Sequence, residues 1–230
     1  MQGKKSLKGS SQSQSVVSVE DVFNVNVRTG TGAATNVVTG IDGVENDVMV
    51  WLKCRSLAKW HWLVDTQRGS GTTYPAIHSN STQAEGNTGR ITSINADGFS
   101  LGTDSEINGS GETYVDYTFK KSPRFFDMVK YTGNGVAGRE IAHDLGCDVG
   151  FIIIKPLGSG NWTCYHKGIS VANRKAIYLD KTNEATTEFT TFWNDTHPTS
   201  AVFTLGDFAG SNANGAEYIA YLFAHSPVAD

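Results

Sequence analysis

Residues 110–123 read SGETYVDYTFKKSP, and residues 214–227 read NGAEYIAYLFAHSP. At one constant offset Gly111 matches Gly215, Tyr114 matches Tyr218, Tyr117 matches Tyr221 and Phe119 matches Phe223. Ser122-Pro123 and Ser226-Pro227 close the two stretches. In the first, Val115, Tyr117 and Phe119 alternate with Tyr114, Asp116 and Thr118, the period of a strand with two different faces. In the second, Ile219, Tyr221 and Phe223 oppose Tyr218, Ala220 and Leu222. Apolar residues on both faces mark it as the more buried strand.

The correspondence extends outward from these strands. DGFSLG at 97–102 answers to AVFTLG at 201–206. TGTGAA at 29–34 answers to TGNGVA at 132–137, and each follows a phenylalanine, Phe23 or Phe126, by the same distance. VMVWLK at 48–53 aligns with FIIIK at 151–155, which matches Lys53 with Lys155. WLVDTQRG at 62–69 sits where WTCYHKG sits at 162–168, matching Trp62 with Trp162. A period of about 100 residues is the mark of an internal duplication. The expected fold is all-β: two tandem antiparallel β-sandwich repeats of a jelly-roll or lectin-like kind, at 22–124 and 125–230. About six to eight short strands per repeat fit the glycine-rich turns. The first 21 residues, rich in Ser, Gln, Lys and Gly, form a flexible polar arm and a candidate docking segment.

The duplication also disposes of an attractive motif. YTGNGVAG at 131–138 places Gly133, Gly135 and Gly138 in the G-x-G-x-x-G spacing of dinucleotide-binding loops. A phosphate site needs a helix after the loop, because its first amides hold the anion. Here REIAHDLGCDVGFIIIK follows, broken by glycine and ending in a β-branched run. The other copy, TGTGAATN, lacks the third glycine. The expected structure is a glycine hairpin.

Composition narrows the function. The chain has 230 residues, a formal charge of −4 and 25 glycines against 5 prolines. Its acidic balance argues against nucleic acid as a partner. No apolar run is long enough to span a bilayer as a helix. The N-terminal lysines precede no apolar stretch, so no secretory signal is expected. Three cysteines without a C-x-x-C spacing suggest thiols in a reducing cytoplasm.

Catalytic motifs are sparse. Six histidines include no H-E-x-x-H and no zinc-finger spacing, so no metal site and no cofactor are expected. Cys164 and His166 lie two apart and share a strand face, yet a buried thiol beside a polar residue explains them best. Asp97, Asp104, Glu106 and Glu112 surround glycines without the calcium-loop spacing and read as solvated turns. The aromatic residues are more informative. KWHWLVD at 59–65 puts Trp60 and Trp62 on one strand face. Trp62 is expected in the core, because Trp162 matches it. Trp60 has no match and is a candidate ligand-contact residue. Trp193, in TTFWNDTHPTS, is the second candidate.

Several stretches together resemble a family of repeated β-rich domains of unknown function in virion proteins of bacteriophages, especially marine ones. They are YTGNG at 131–135, IAHDLG at 141–146, GFIIIK at 150–155, WNDTHPTS at 193–200 and NGAEYIAYLFAHSP at 214–227. In the first unit VWLKCRS at 50–56, LVDTQRG at 63–69, NSTQAE at 80–85 and SGETYVDYTFKKSPRFFD at 110–127 resemble the sister version. The resemblance implies a non-enzymatic virion protein, tail- or fibre-associated, that folds in the host cytoplasm and contacts the host surface. It implies partners among other virion proteins, engaged through the arm, a host glycan or protein as receptor, and a homo-oligomer, by analogy a trimer. The competing readings are a head-decoration or other purely architectural role, and a glycan-cleaving enzyme. The last would need two converging carboxylates.

Overall fold

A computed structural model describes residues 18–72, 74–87, 89–169, 175–186 and 190–225. The fold is all-β and antiparallel. One large sheet has six strands in the order β1 (Phe23–Thr29), β9 (Thr113–Lys120), β3 (Val48–Cys54), β4 (His61–Asp65), β5 (Pro75–His78) and β6 (Gly86–Asn87). A three-stranded sheet of β2 (Thr35–Val38), β8 (Gly98–Leu101) and β7 (Ile91–Asn95) covers one of its faces. The second large sheet runs β10 (Phe126–Thr132), β16 (Glu217–Ala224), β12 (Val149–Pro156), β13 (Thr163–His166) and β14 (Ile177–Tyr178). Its small partner is β11 (Arg139–Ala142) with β15 (Val202–Leu205). Short helical turns α1 (Ser105–Asn108), α2 (Thr190–Trp193) and α3 (Ala209–Asn212) connect the layers.

Strand alternation divides the buried apolar side chains among three cores. Val50, Leu52, Trp62 and Val64 face Val37, Ile91, Phe99 and Leu101 of the small sheet. Ile152, Ile154, Tyr218, Ala220 and Leu222 face Ile141, Phe203 and Leu205. The remaining faces of the two large sheets meet each other: Met49, Leu63 and Ile77 pack with Phe126, Met128, Ile153, Ile219 and Tyr221. The result is four layers, small–large–large–small. β16 is apolar on both faces because both are covered, whereas β9 exposes more of its length.

The two halves share their bonding. β1 pairs with β9 from Phe23↔Phe119 to Thr29↔Thr113, and β10 pairs with β16 from Phe126↔Phe223 to Thr132↔Glu217. Tyr114 donates to Ser105 O at 2.9 Å and accepts from Gly109 N at 2.8 Å. Tyr218 donates to Ala209 O at 2.7 Å and accepts from Ala213 N at 2.8 Å. Asn108 and Asn212 each clamp a glycine-containing loop with both ends of the amide. Asn108 accepts from Thr31 N at 3.0 Å and donates to Ala33 O at 2.7 Å; Asn212 accepts from Asn134 N and donates to Val136 O, both at 3.0 Å.

The glycine stretch is not a hairpin. β10 pairs with β16 and β11 with β15, so residues 133–138 cross from the large sheet to the small one. No helix follows, and the glycines serve geometry. A Cβ on Gly133 would lie 2.3 Å from Ala213 O, and Gly135 and Gly138 have φ of 70° and 84°.

A second departure concerns Trp62. The registers Leu52↔Trp62 and Ile154↔Thr163 put Thr163, not Trp162, in the place of Trp62. A one-residue slip moves a side chain to the opposite face. Trp62 therefore fills the outer core of the first half, while Trp162 fills the layer between the large sheets. As for the arm, Val19–Asp21 form a 3-10 turn and Val22 is buried, while residues 1–17 and Ser226-Pro227 lie outside the described residues.

Candidate functional site

The β3–β4 hairpin carries an aromatic ladder at its tip. Trp60 and Trp62 stand two apart and project to one side, as the strand period requires. β5 brings His78 opposite Trp62. The His78 ring lies 4.2 Å from Trp62, edge to face, and 5.2 Å from Trp60. Arg90, just ahead of β7, places its guanidinium 4.1 Å over the Trp62 ring and pairs with Asp104 at 2.8 Å. Asp104 is itself held, accepting from Glu106 N as the cap of α1. Arg90, Trp62, His78 and Trp60 thus form a contiguous row, with Trp62 and His78 buried in its middle and Trp60, 40% exposed, at one end.

His78 is chemically unusual. Both ring nitrogens are buried and have no hydrogen-bond partner among the described residues. Burial, reinforced by the charges of Arg90 and Lys155, pushes its pKa down to about 4. At neutral pH it is an uncharged platform beneath Trp60. On the other side of β4, His61 accepts from Lys53 Nζ at 2.7 Å and is likewise held below its ordinary pKa, first by burial and then by Lys53. The face of Trp60 that remains free is large, rigidly backed and amphipathic. Such a surface stacks on flat apolar faces, including the C–H face of a sugar ring.

The second sequence candidate belongs elsewhere. Trp193 is 1% exposed, packs edge to face on Tyr165 at 5.5 Å and donates Nε1 to Lys175 O at 2.9 Å. It is a core residue, because its apolar bulk and its one donor are both satisfied inside the protein. The structure does not bring it to Trp60.

Several other reactive or charged groups are buried, and some of them join the halves. Cys164 is fully buried, and desolvation pushes its thiol up to about 12. His166, two residues on, is exposed at a strand end beside Phe151. Asp65 and Arg68 form a buried ion pair at 2.7 Å, to which Tyr221 adds its hydroxyl. Trp162 Nε1 donates across the join to His78 O at 2.9 Å and Ser81 O at 3.0 Å. Lys155 is buried under Trp162, its ammonium caged by the carbonyls of Pro156, Gly158 and Gly160. Nothing in the periodicity marked Asp65, Arg68 or Lys155. Their only signal was charge inside otherwise apolar strands or turns.

No curated protein and no solved structure matches the chain significantly. Residues 18–227 match the family described as Domain of unknown function (DUF7483), and the chain belongs to that family.

Proposed function

We propose that the chain is a non-enzymatic structural protein of a bacteriophage particle, tail- or fibre-associated, and that Trp60 contacts a sugar of the host surface. The observation that carries the contact is the placement of Trp60. It is 40% exposed at a hairpin tip, yet backed by His78, Trp62 and Arg90 in a fixed stack. A tryptophan presented this way loses little conformational entropy on binding, which favours stacking. The virion assignment is supported by the resemblance of both halves to phage virion domains. The matching bonds of Asn108 with Asn212 and of Tyr114 with Tyr218 support an internal duplication. A non-catalytic role is supported by Cys164 and Asp65, both buried and engaged in packing or ion pairing. In this reading residues 1–21 attach the protein to other virion proteins, and copies assemble as a homo-oligomer.

Immunogold microscopy of phage particles with antibody to residues 22–225 tests the location. Gold on the distal tail or its fibres supports the proposal, gold over the head indicates decoration instead, and unlabelled particles overturn the virion reading. Trp60→Ala tests the contact: host-cell adsorption should fall while the fold is kept, and unchanged adsorption removes Trp60 from the site.

A further inference from the structure

We infer that a groove of about 500 Å³ at the far end of β4 from Trp60 binds a neutral pyranose ring, as a second sugar subsite independent of the tryptophan ladder. The groove lies between residues 43–47, which lead into β3, and residues 66–71, which leave β4. Its volume falls within the roughly 300–1,000 Å³ of small-molecule pockets.

Its floor is apolar and its rim accepts hydrogen bonds. Tyr74 and Ile94, both at the margin of the first half's core, form the floor. Asp47 is set in place beforehand: Thr66 Oγ1 donates to Oδ1 at 2.8 Å and Gln67 Nε2 to Oδ2 at 2.6 Å. Thr66 is fixed in turn, accepting from Val48 N at 3.1 Å. The exposed Glu45 lines the same rim. On the opposite wall Gly71 has φ of 66° and open space where a side chain would stand, so the wall there is bare backbone.

The lining selects a ligand class. Among the described residues no lysine, arginine or histidine lines the groove, and its carboxylates make it negative, so anions are disfavoured. A tightly held divalent cation usually draws on several converging carboxylate, imidazole or thiolate side chains, and no group of three His, Cys, Asp or Glu residues occurs among the described residues. A neutral sugar meets both demands, with a C–H face for Tyr74 and Ile94 and hydroxyl donors for Glu45 and Asp47. Carboxylates accept such bonds strongly because they are charged.

Saturation-transfer NMR on the full chain tests this, with D-glucose, D-galactose, D-mannose and N-acetylglucosamine as probes and n-butylammonium as a cationic control. At least one sugar should receive saturation. Glu45→Ala, which removes the acceptor, should weaken that sugar about tenfold, the usual scale for a lost hydrogen bond to a charged group. In a Trp60→Ala background, which removes the sugar contact at the tryptophan ladder, the groove's signal should remain, and adding Ser70→Trp, which plugs the groove from an exposed position, should abolish it. Silence from all four sugars, or binding of butylammonium alone, overturns the proposal. So does a signal that survives Ser70→Trp in the Trp60→Ala background. A signal lost in Trp60→Ala but kept in Ser70→Trp also overturns it, while supporting the contact at Trp60.

Discussion

The Tyr221 hydroxyl donates to Asp65 Oδ2 at 2.6 Å, joining side chains 156 residues apart across the layer between the large sheets. Arg68 completes the cluster: Nε pairs with Asp65 at 2.7 Å, Nη1 reaches Glu85 at 3.3 Å and Nη2 reaches Leu63 O. Burial alone would lower the pKa of this arginine, but Asp65, Tyr221 and Glu85 outweigh it and raise it. Removing one member of a buried pair strands the other in low dielectric. Arg68→Leu should therefore cost about 3–5 kcal/mol. Tyr221→Phe leaves Asp65 still paired, so it should cost only about 1–3 kcal/mol. Urea unfolding of the two variants gives the ranking, and equal losses would refute this division of roles.

The two tryptophans singled out by sequence should respond differently. Trp193→Ala empties a buried site and should cost about 3–5 kcal/mol. For a chain of this size that lowers the melting temperature by roughly 10 °C. Trp60→Ala removes a ring that is 40% exposed and should cost no more than about 1 kcal/mol. Thermal unfolding followed by near-ultraviolet circular dichroism separates the two. A large loss for Trp60→Ala would make it a core residue.

His78 should make the fold acid-sensitive. Its folded pKa of about 4 lies below the ordinary 6.5, so the unfolded chain takes up the proton first as pH falls. Stability is therefore fully present above pH 6.5 and drains away between 6.5 and about 4. The loss attributable to His78 is at most about 3 kcal/mol. His78→Phe keeps the stack and gives up no hydrogen bond of the ring, since neither nitrogen has one. The variant should show a flatter stability profile over that interval. An unchanged slope would place the sensitivity elsewhere.

Thiol reactivity should report the layers. Cys147 is partly exposed, while Cys54 and Cys164 are buried, and all three are free. Burial also raises the Cys147 and Cys164 thiols above their ordinary pKa. A disulfide reagent at pH 8 should modify Cys147 slowly in the native protein and all three in denaturant. Rapid native labelling of Cys164 would show that the join between the large sheets opens.

Much of the architecture was legible because strands impose a period of two. The alternation of TYVDYTFK and EYIAYLFA shows the faces of β9 and β16, while Lys53 in β3 pairs with Val115 and Lys155 in β12 with Ile219. Trp62 and Trp162 misled because identity of residue type does not fix register. Only the ladder shows that Thr163 holds the position of Trp62. The glycine stretch misled for a related reason: a turn and a crossover need the same positive φ values. What reveals the crossover is Asn212, far along the chain, whose counterpart Asn108 lies at the same offset as Tyr114 does from Tyr218. Of the site, Trp60 was readable as a tryptophan without a match. Its backing was not, since His78 and Arg90 reach it only through sheet pairing.

The back-to-back layer also sets where the polypeptide can be cut. Expressed alone, residues 125–225 would present Phe126, Met128, Ile153, Ile219 and Tyr221 to water as one greasy plane, and residues 22–124 would do the same with Met49, Leu63 and Ile77. Fragments of that kind clump. The smallest piece worth cloning is therefore the pair, and a useful truncation would trim its ends and leave the junction near Pro123 intact.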